Sequence, residues 1–206
     1  MQGSSQRAEV RLNGTAAAPG VARATAYVLH QGRALVVRRQ VDDPERELAR
    51  LEAALTATRA EITRLRHDVA RKLNESEAAI FDAHLLVLED VALIDEVTKE
   101  VRRTGLNVEH CFETVAQRYI DIFARMEDDF LRERAADIRD VTGRVLDQLL
   151  GAAPADLGPV VGRQVVVALD LTPTETAGLH EGGVAAFVTE EGGRTSHSAI
   201  MARSLD

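Results

Sequence analysis

Residues 192–205 read GGRTSHSAIMARSL. Two glycines, an arginine, two hydroxyls and a histidine follow in succession, and the pattern then becomes helical. Gly192 and Gly193 permit a tight turn and a close backbone approach to a ligand. Thr195 and Ser196 are residue types that cap helix starts, which places His197 in the first helical turn. A helix N-terminus carries partial positive charge, so it disfavours imidazolium and biases His197 toward the neutral, nucleophilic ring. Once a ring nitrogen carries a phosphoryl group, the same place holds an anion. The backbone N–H groups of Gly193, Arg194, Thr195 and Ser196 then favour it. The Arg194 side chain, and that of Arg203 further along, can add charge-assisted contacts. One position therefore suits both a neutral nucleophile and an anionic product, as a phosphohistidine requires. On the residues alone, two plainer readings stand beside it. A lone histidine near a helix start is often a cap or surface residue, and a Gly-rich turn can bind a free nucleotide phosphate. The Rossmann G-x-G-x-x-G and P-loop G-K-[ST] spacings are both absent.

The segments around this run change character twice along the chain. Residues 10–37 are small, apolar and Gly-punctuated, and 24–29 and 34–37 read as short strands. Residues 42–150 are rich in Ala, Leu, Glu and Arg, with glycine only at 105 and 143. Residues 151–193 return to Gly, Pro and Val, with strand-like QVVVALDL and VAAFVTE.

The middle block is helical by period. Leu48, Leu51, Leu55, Ile62, Leu65, Val69 and Leu73 recur at helical spacings. Asp43–Pro44 fits an N-cap and first helical position, and Asn74 with Glu77 resembles a capping box. Gly105 and Gly151 fit left-handed C-caps. Asn107 opens a helix with Val108, Cys111, Val115, Tyr119, Ile122 and Met126 on one side. Short connections between long amphipathic helices imply an antiparallel bundle. Because strand-like segments flank it on both sides, the bundle reads as an insertion into one α/β body.

Composition narrows the function classes. Hydrophobic residues are 45% of the 206, aromatics 3%, and the net charge is −8, so the core is aliphatic and no basic face for nucleic acid is expected. An acidic surface suits a basic protein partner. One cysteine, Cys111, excludes an intrachain disulfide, fits a cytoplasmic setting and is expected in the core. No apolar run approaches the ~20 residues of a membrane helix, and the first ten residues lack a signal peptide's apolar stretch. His30, His67, His110 and His180 form no ligand-spaced cluster, so no metal site is expected; His84, beside Leu85 and Leu86, reads as structural or interfacial.

The run GGRTSHSAIMARSL closely resembles the phosphohistidine signature of phosphoenolpyruvate-utilising enzymes. The segments GTAAAPGVARATAYVL, FDAHLLVLED, RERAADIRDVTGRVL and VALDLTPTETA, in that order, are similar to enzyme I of the bacterial sugar phosphotransferase system. The resemblance covers nearly the whole chain from Leu12 onward. It implies an α/β phosphohistidine (swivelling) domain, incomplete at its C-terminus, with an inserted all-α helical-bundle subdomain. On that reading residues 1–37 are the first part of the α/β domain, 38–150 the helical insertion, and 151–206 the second part, with the active histidine.

The resemblance also implies roles. His197 takes phosphoryl from phosphoenolpyruvate through Nε2 and gives it to the small phosphocarrier protein HPr. Thr172 matches a family threonine whose hydroxyl contacts and orients that imidazole. The helical block docks HPr, whose face is basic. Glu75, Ile80, Leu86 and Val87 on one helix and Arg134 on the last are the matching contact positions. Residue by residue, bundle core for the apolar ones and a solvated face for the glutamates remain equally open. The family continues beyond Asp206 with further strands, a linker and a barrel that binds phosphoenolpyruvate and magnesium and forms the dimer. The expectation is thus a fragment without cofactor or membrane partner, competent only to exchange phosphoryl with HPr. Two other readings are a helical protein-binding module with an inert histidine, and the phosphohistidine domain of a dikinase-like enzyme.

Overall fold

The computed structural model describes residues 10–29, 35–72, 74–151, 163–169, 171, 175, 176, 179, 183–190, 199 and 203. Among the described residues three short strands, β1 (Thr25–Val28), β2 (Gln164–Ala168) and β3 (Ala186–Thr189), form a sheet in that order. Both pairs are parallel, with Thr25 opposite Gln164 and Val165 opposite Ala186. Leu29, Val166, Ala168, Leu171 and Leu179 make a small core, with Tyr27, Val184 and Phe187 packed on it.

Among the described residues between β1 and β2 lie five helices: α1 (Pro44–Lys72), α2 (Glu75–Leu88), α3 (Val91–Thr104), α4 (Val108–Ala124) and α5 (Asp129–Leu150). Their larger core joins Leu51, Ile62 and Val69 of α1, Phe81 of α2, Val97 and Val101 of α3, Phe112 and Val115 of α4, and Val141 and Val145 of α5. The fold is therefore an α/β body interrupted by a helical subdomain, and the helices supply the crossover that a parallel β1–β2 pair demands.

The helix boundaries follow from local chemistry. Asp43 Oδ1 accepts from Glu45 and Arg46 N–H at 3.1 Å, opening α1. Asn74 Oδ1 accepts from Glu77 N–H at 3.0 Å, and Asp90 Oδ1 accepts from Ala92 N–H at 2.8 Å. Gly105 and Gly151 sit in the left-handed region at φ 62° and 64°.

Two expectations fail. Leu35–Val37 form no strand: the segment has no sheet partner, and it instead leads to a pairing against the α3–α4 turn. There Arg39 N–H donates to Asn107 Oδ1 (2.9 Å), Asn107 N–H donates to Arg39 O (3.0 Å), and Gln40 bridges Leu106. In α4 the buried face runs from Val108, Cys111 and Val115 to Ala116 and Ile120, so Ile122 turns outward and is exposed. Asn107 also makes no side-chain cap bond; the N–H of Val108 is accepted by Glu47 Oε2 of α1 at 2.9 Å.

That bond belongs to a buried knot of charge. Arg50 donates to Glu47 (2.8 Å), to Glu109, and to the carbonyl of Leu149 (3.0 Å). It thus ties the start of α1 to the start of α4 and the end of α5. Burial raises the Glu109 pKa, but the Arg50 guanidinium, the residue's own backbone N–H and the Asn107 amide outweigh that and hold it below the usual carboxylate value.

Two outcomes are expected. Gly105→Ala strains a left-handed backbone and brings Cβ to 3.1 Å from Gln40 Nε2, so urea unfolding should show a loss of about 1–2 kcal/mol. Because the native Glu109 carboxyl binds its proton more weakly than the unfolded one, its contribution is present above the ordinary glutamate value of 4.5 and is lost as pH falls through the lowered one. Denaturation midpoints measured against pH should therefore fall less steeply on the acid side for Glu109→Gln than for the parent chain.

Candidate phosphohistidine segment and docking face

The strands β2 and β3 end side by side at one end of the sheet. In an open parallel sheet, ligands bind beyond the carboxyl ends of the strands. β2 ends at Ala168 and β3 at Thr189, and these two residues are opposite each other in the ladder. The chain leaving β2 leads to Thr172, and the chain leaving β3 leads to His197. The bond from Glu190 N–H to Ala168 O (3.1 Å) carries the pairing past the last strand residue of β3. Thr172, Gly193, Arg194, Thr195, Ser196 and His197 themselves lie outside the described residues. In the same stretches of sequence, Leu171, Thr176, Leu179 and Ala199 are buried. Arg203, read above as an anion contact, donates from Nη1 to the Ala17 carbonyl at 3.0 Å. This bond ties the stretch after the histidine to the Gly-rich N-terminal stretch.

The second candidate site lies on α2. This helix is apolar nearly all round, with little bias to either face. Ala78, Phe81, His84 and Leu88 fill the bundle core, yet Leu86 remains 69% exposed on the far side. Val87 is half-buried and joins the bundle core to a satellite cluster of Ile120, Tyr119, Phe123, Ala135 and Ile138. Ile80 is half-buried and packs on the main core, so it is largely committed to the bundle. Glu75 is exposed in the first turn, 3.2 Å from Arg66, which also pairs with Asp82 at 2.7 Å. The same helix carries Asp82, exposed like Glu75, and these two give the exposed face around Leu86 an acidic edge. Arg134, on α5, is 31% exposed and donates from Nη1 to Asp137 Oδ2 at 3.3 Å. α5 packs on α2, so the five predicted docking positions fall on two adjoining helices.

Sequence reasoning did not identify the polar groups behind this face. His84 is 1% exposed and faces two carboxylates of α5, Asp137 and Asp140. The available signal was the charged spacing 134, 137, 140 and 144, which puts Arg, Asp, Asp and Arg along one face of α5. The reading of His84 as structural agrees with its burial, as does the core assignment of Cys111. Among the described residues, no cluster of His, Cys, Asp and Glu is arranged to hold a metal ion. No described helix is long and apolar enough to cross a membrane.

Comparison with known proteins gives matches that cover both regions. Residues 13–134 match the N-terminal family of PEP-utilising enzymes, and residues 161–206 match the mobile domain of PEP-utilising enzymes. The chain is similar to the phosphoenolpyruvate-protein phosphotransferases of Priestia megaterium (43% identity over 95% of the chain) and Streptococcus equinus (46% over 95%). It spans about a third of those relatives' length, 34% in each case. Among solved structures it resembles an NMR solution structure of an enzyme I protein, with TM-score 0.73 and 34% identity, covering 95% of this chain and 79% of that one. It also resembles the N-terminal domain of a nitrogen-type enzyme 1, with TM-score 0.63 and 32% identity, covering 95% and 80%. With an α/β body, an inserted five-helix bundle and a match running through both, the chain belongs to the family of phosphoenolpyruvate-utilising enzymes and corresponds to the N-terminal portion of enzyme I.

Proposed function

We propose that this chain is the phosphoryl-carrying and partner-docking portion of a phosphoenolpyruvate-protein phosphotransferase. His197 carries the phosphoryl group, and the helical bundle docks the phosphocarrier HPr. The observation that carries the reading is the signature GGRTSHS leaving the carboxyl end of a parallel strand, within the region matching a mobile domain.

The transfer with HPr is an exchange between two imidazoles. A neutral His197 presents its Nε2 lone pair to the phosphorus of phospho-HPr. A new N–P bond forms on His197 as the N–P bond on the carrier breaks, and the carrier's histidine leaves with the electron pair. The reverse step charges HPr. Thr172 fixes the imidazole's orientation. The backbone N–H groups from Gly193 to Ser196, with Arg194, stabilise the phosphoryl oxygens in place. The exchange itself needs no cofactor. The phosphoenolpyruvate site, its magnesium and the dimer contact belong, on this reading, to the part of the relatives outside the match. The setting is cytoplasmic, consistent with Cys111 as a free buried thiol.

The docking face fits a basic carrier by simple complementarity. Leu86 offers an apolar anchor, and Glu75 and Asp82 supply charge at its edge. Leu86 is the better anchor to test than Ile80, because truncating Ile80 would also disturb the core it packs against.

Incubation with phospho-HPr followed by intact-mass measurement should show the gain of one phosphoryl group, acid-labile and alkali-stable, absent in His197→Ala. An alkali-labile adduct, or labelling that survives His197→Ala, would defeat the assignment. HPr binding without any phosphoryl uptake would leave the bundle as a docking module alone. For the docking face, Glu75→Lys combined with Leu86→Ala should weaken HPr binding about tenfold or more by calorimetry, with unchanged circular dichroism. Unchanged affinity would remove α2 from the interface.

A further inference from the structure

The interface between α2 and α5 contains a row of polar groups that the docking reading leaves without a task. His84 Nε2 lies 3.5 Å from Asp137 Oδ1, and Nδ1 lies 3.4 Å from Asp140 Oδ2. Phe81, one turn earlier on α2, meets the ring edge-on, with centroids 5.7 Å apart and an interplanar angle of 82°, which fixes the plane of the imidazole. Asp137 turns its other oxygen, Oδ2, to Arg134 Nη1 at 3.3 Å. On the opposite side, Asp140 Oδ2 accepts from Arg144 Nε at 3.3 Å, and Arg144 pairs with Glu61 of α1. The groups therefore run Arg134, Asp137, His84 on one side and Asp140, Arg144, Glu61 on the other, with His84 Nδ1 facing Asp140 but making no hydrogen bond to it. One end is anchored between α5 and α1; the other reaches the partly exposed Arg134.

Such a row is a poor way to gain stability. Taking charged groups out of water costs several kcal/mol each, and apolar residues of similar volume would hold two helices together at least as well. What the row does supply is direction. Asp137 has one oxygen against a ring held in the core and the other on Arg134, so the ring bears on how the carboxylate sits, and the carboxylate contributes to where the guanidinium points.

We propose that His84 is a positioning residue for partner docking: through Asp137 it holds the Arg134 guanidinium in the orientation that meets hydrogen-bond acceptors on the docked carrier. The inference rests on the docking reading above. A guanidinium fixed before the encounter loses less side-chain freedom on binding, which strengthens the complex without any contact between His84 and the partner.

Two amide substitutions separate this role from simple packing. A glutamine at 84 places its amide N–H near the position of Nε2, facing Asp137. An asparagine places it near Nδ1, facing Asp140. Calorimetric titration with unphosphorylated HPr should find His84→Gln within about twofold of the parent and His84→Asn about fivefold weaker or more. Adding His84→Asn to Arg134→Ala should cause no loss beyond that of Arg134→Ala alone, because the effect passes through that arginine. Equal affinities for the two amide variants, or losses that add, would overturn the inference and leave His84 as packing. A parent chain that binds HPr while Arg134→Ala binds equally well would overturn it as well, without harm to the docking reading. A parent chain that does not bind HPr would remove both. Should His84→Asn lose its helical circular dichroism, Asp137→Asn takes its place, with the same loss and the same dependence on Arg134 expected.

Discussion

Two parallel strands cannot be joined by a tight turn, and β1 and β2 are parallel. This constraint organises the molecule. The chain leaves the sheet after Val28 and returns at Gln164, and the whole helical bundle lies between. For that to work, the bundle must release the chain close to where it took it in. Arg50, in the second turn of α1, bonds the carbonyl of Leu149 in the last turn of α5, so entry and exit are held side by side. The helical subdomain is thus a long excursion with a closed mouth, and the sheet can pair across it.

The same arginine illustrates how the protein handles buried charge. Glu47 and Glu109 are both buried, and each would be costly alone. Glu47 satisfies the first N–H of α4, Glu109 accepts from Asn107, and Arg50 bridges the two carboxylates. Asn107 in turn holds the backbone of Arg39 on one side and the Val37 carbonyl on the other. One knot therefore fixes α1, α4, α5 and the incoming segment. The α2–α5 row uses the same residue types for a different end. It lies beneath the proposed docking face, and its outer member, Arg134, is partly exposed.

The helices were legible because their signals are local. Asp43 before Pro44, Asn74 before Glu77, and the glycines at 105 and 151 each act within one turn of where they sit, and the structure uses all of them. The segment 34–37 misled because an apolar, β-prone run states a preference and not a partner; Val36 packs against the bundle instead. Ile122 misled because the period of an apolar stripe drifts with the neighbours a helix packs against, and the buried face of α4 turns toward α5 at Ala116 and Ile120. His84 could not be assigned its carboxylates from sequence, since Asp137 and Asp140 are on another helix. The reading of His197 rests on a pattern of residue types and a family signature, and its residues lie outside those the structure describes. Its surroundings depend on which strand ends the fold brings together, and that only the sheet order supplies.

The closed mouth of the bundle bears on how the chain assembles. Pairing β1 with β2 means bringing together segments separated by more than half the chain, and such distant contacts are formed late because loop entropy is lost before they stabilise anything. Five helices joined by short turns can collapse first on neighbouring contacts. Once Arg50 has found Leu149, the ends of the excursion are already together, and the strands meet across a short gap rather than a long coil. The helical insertion is then the scaffold on which the smaller sheet is completed, and an error in the bundle would delay a domain whose residues it does not touch.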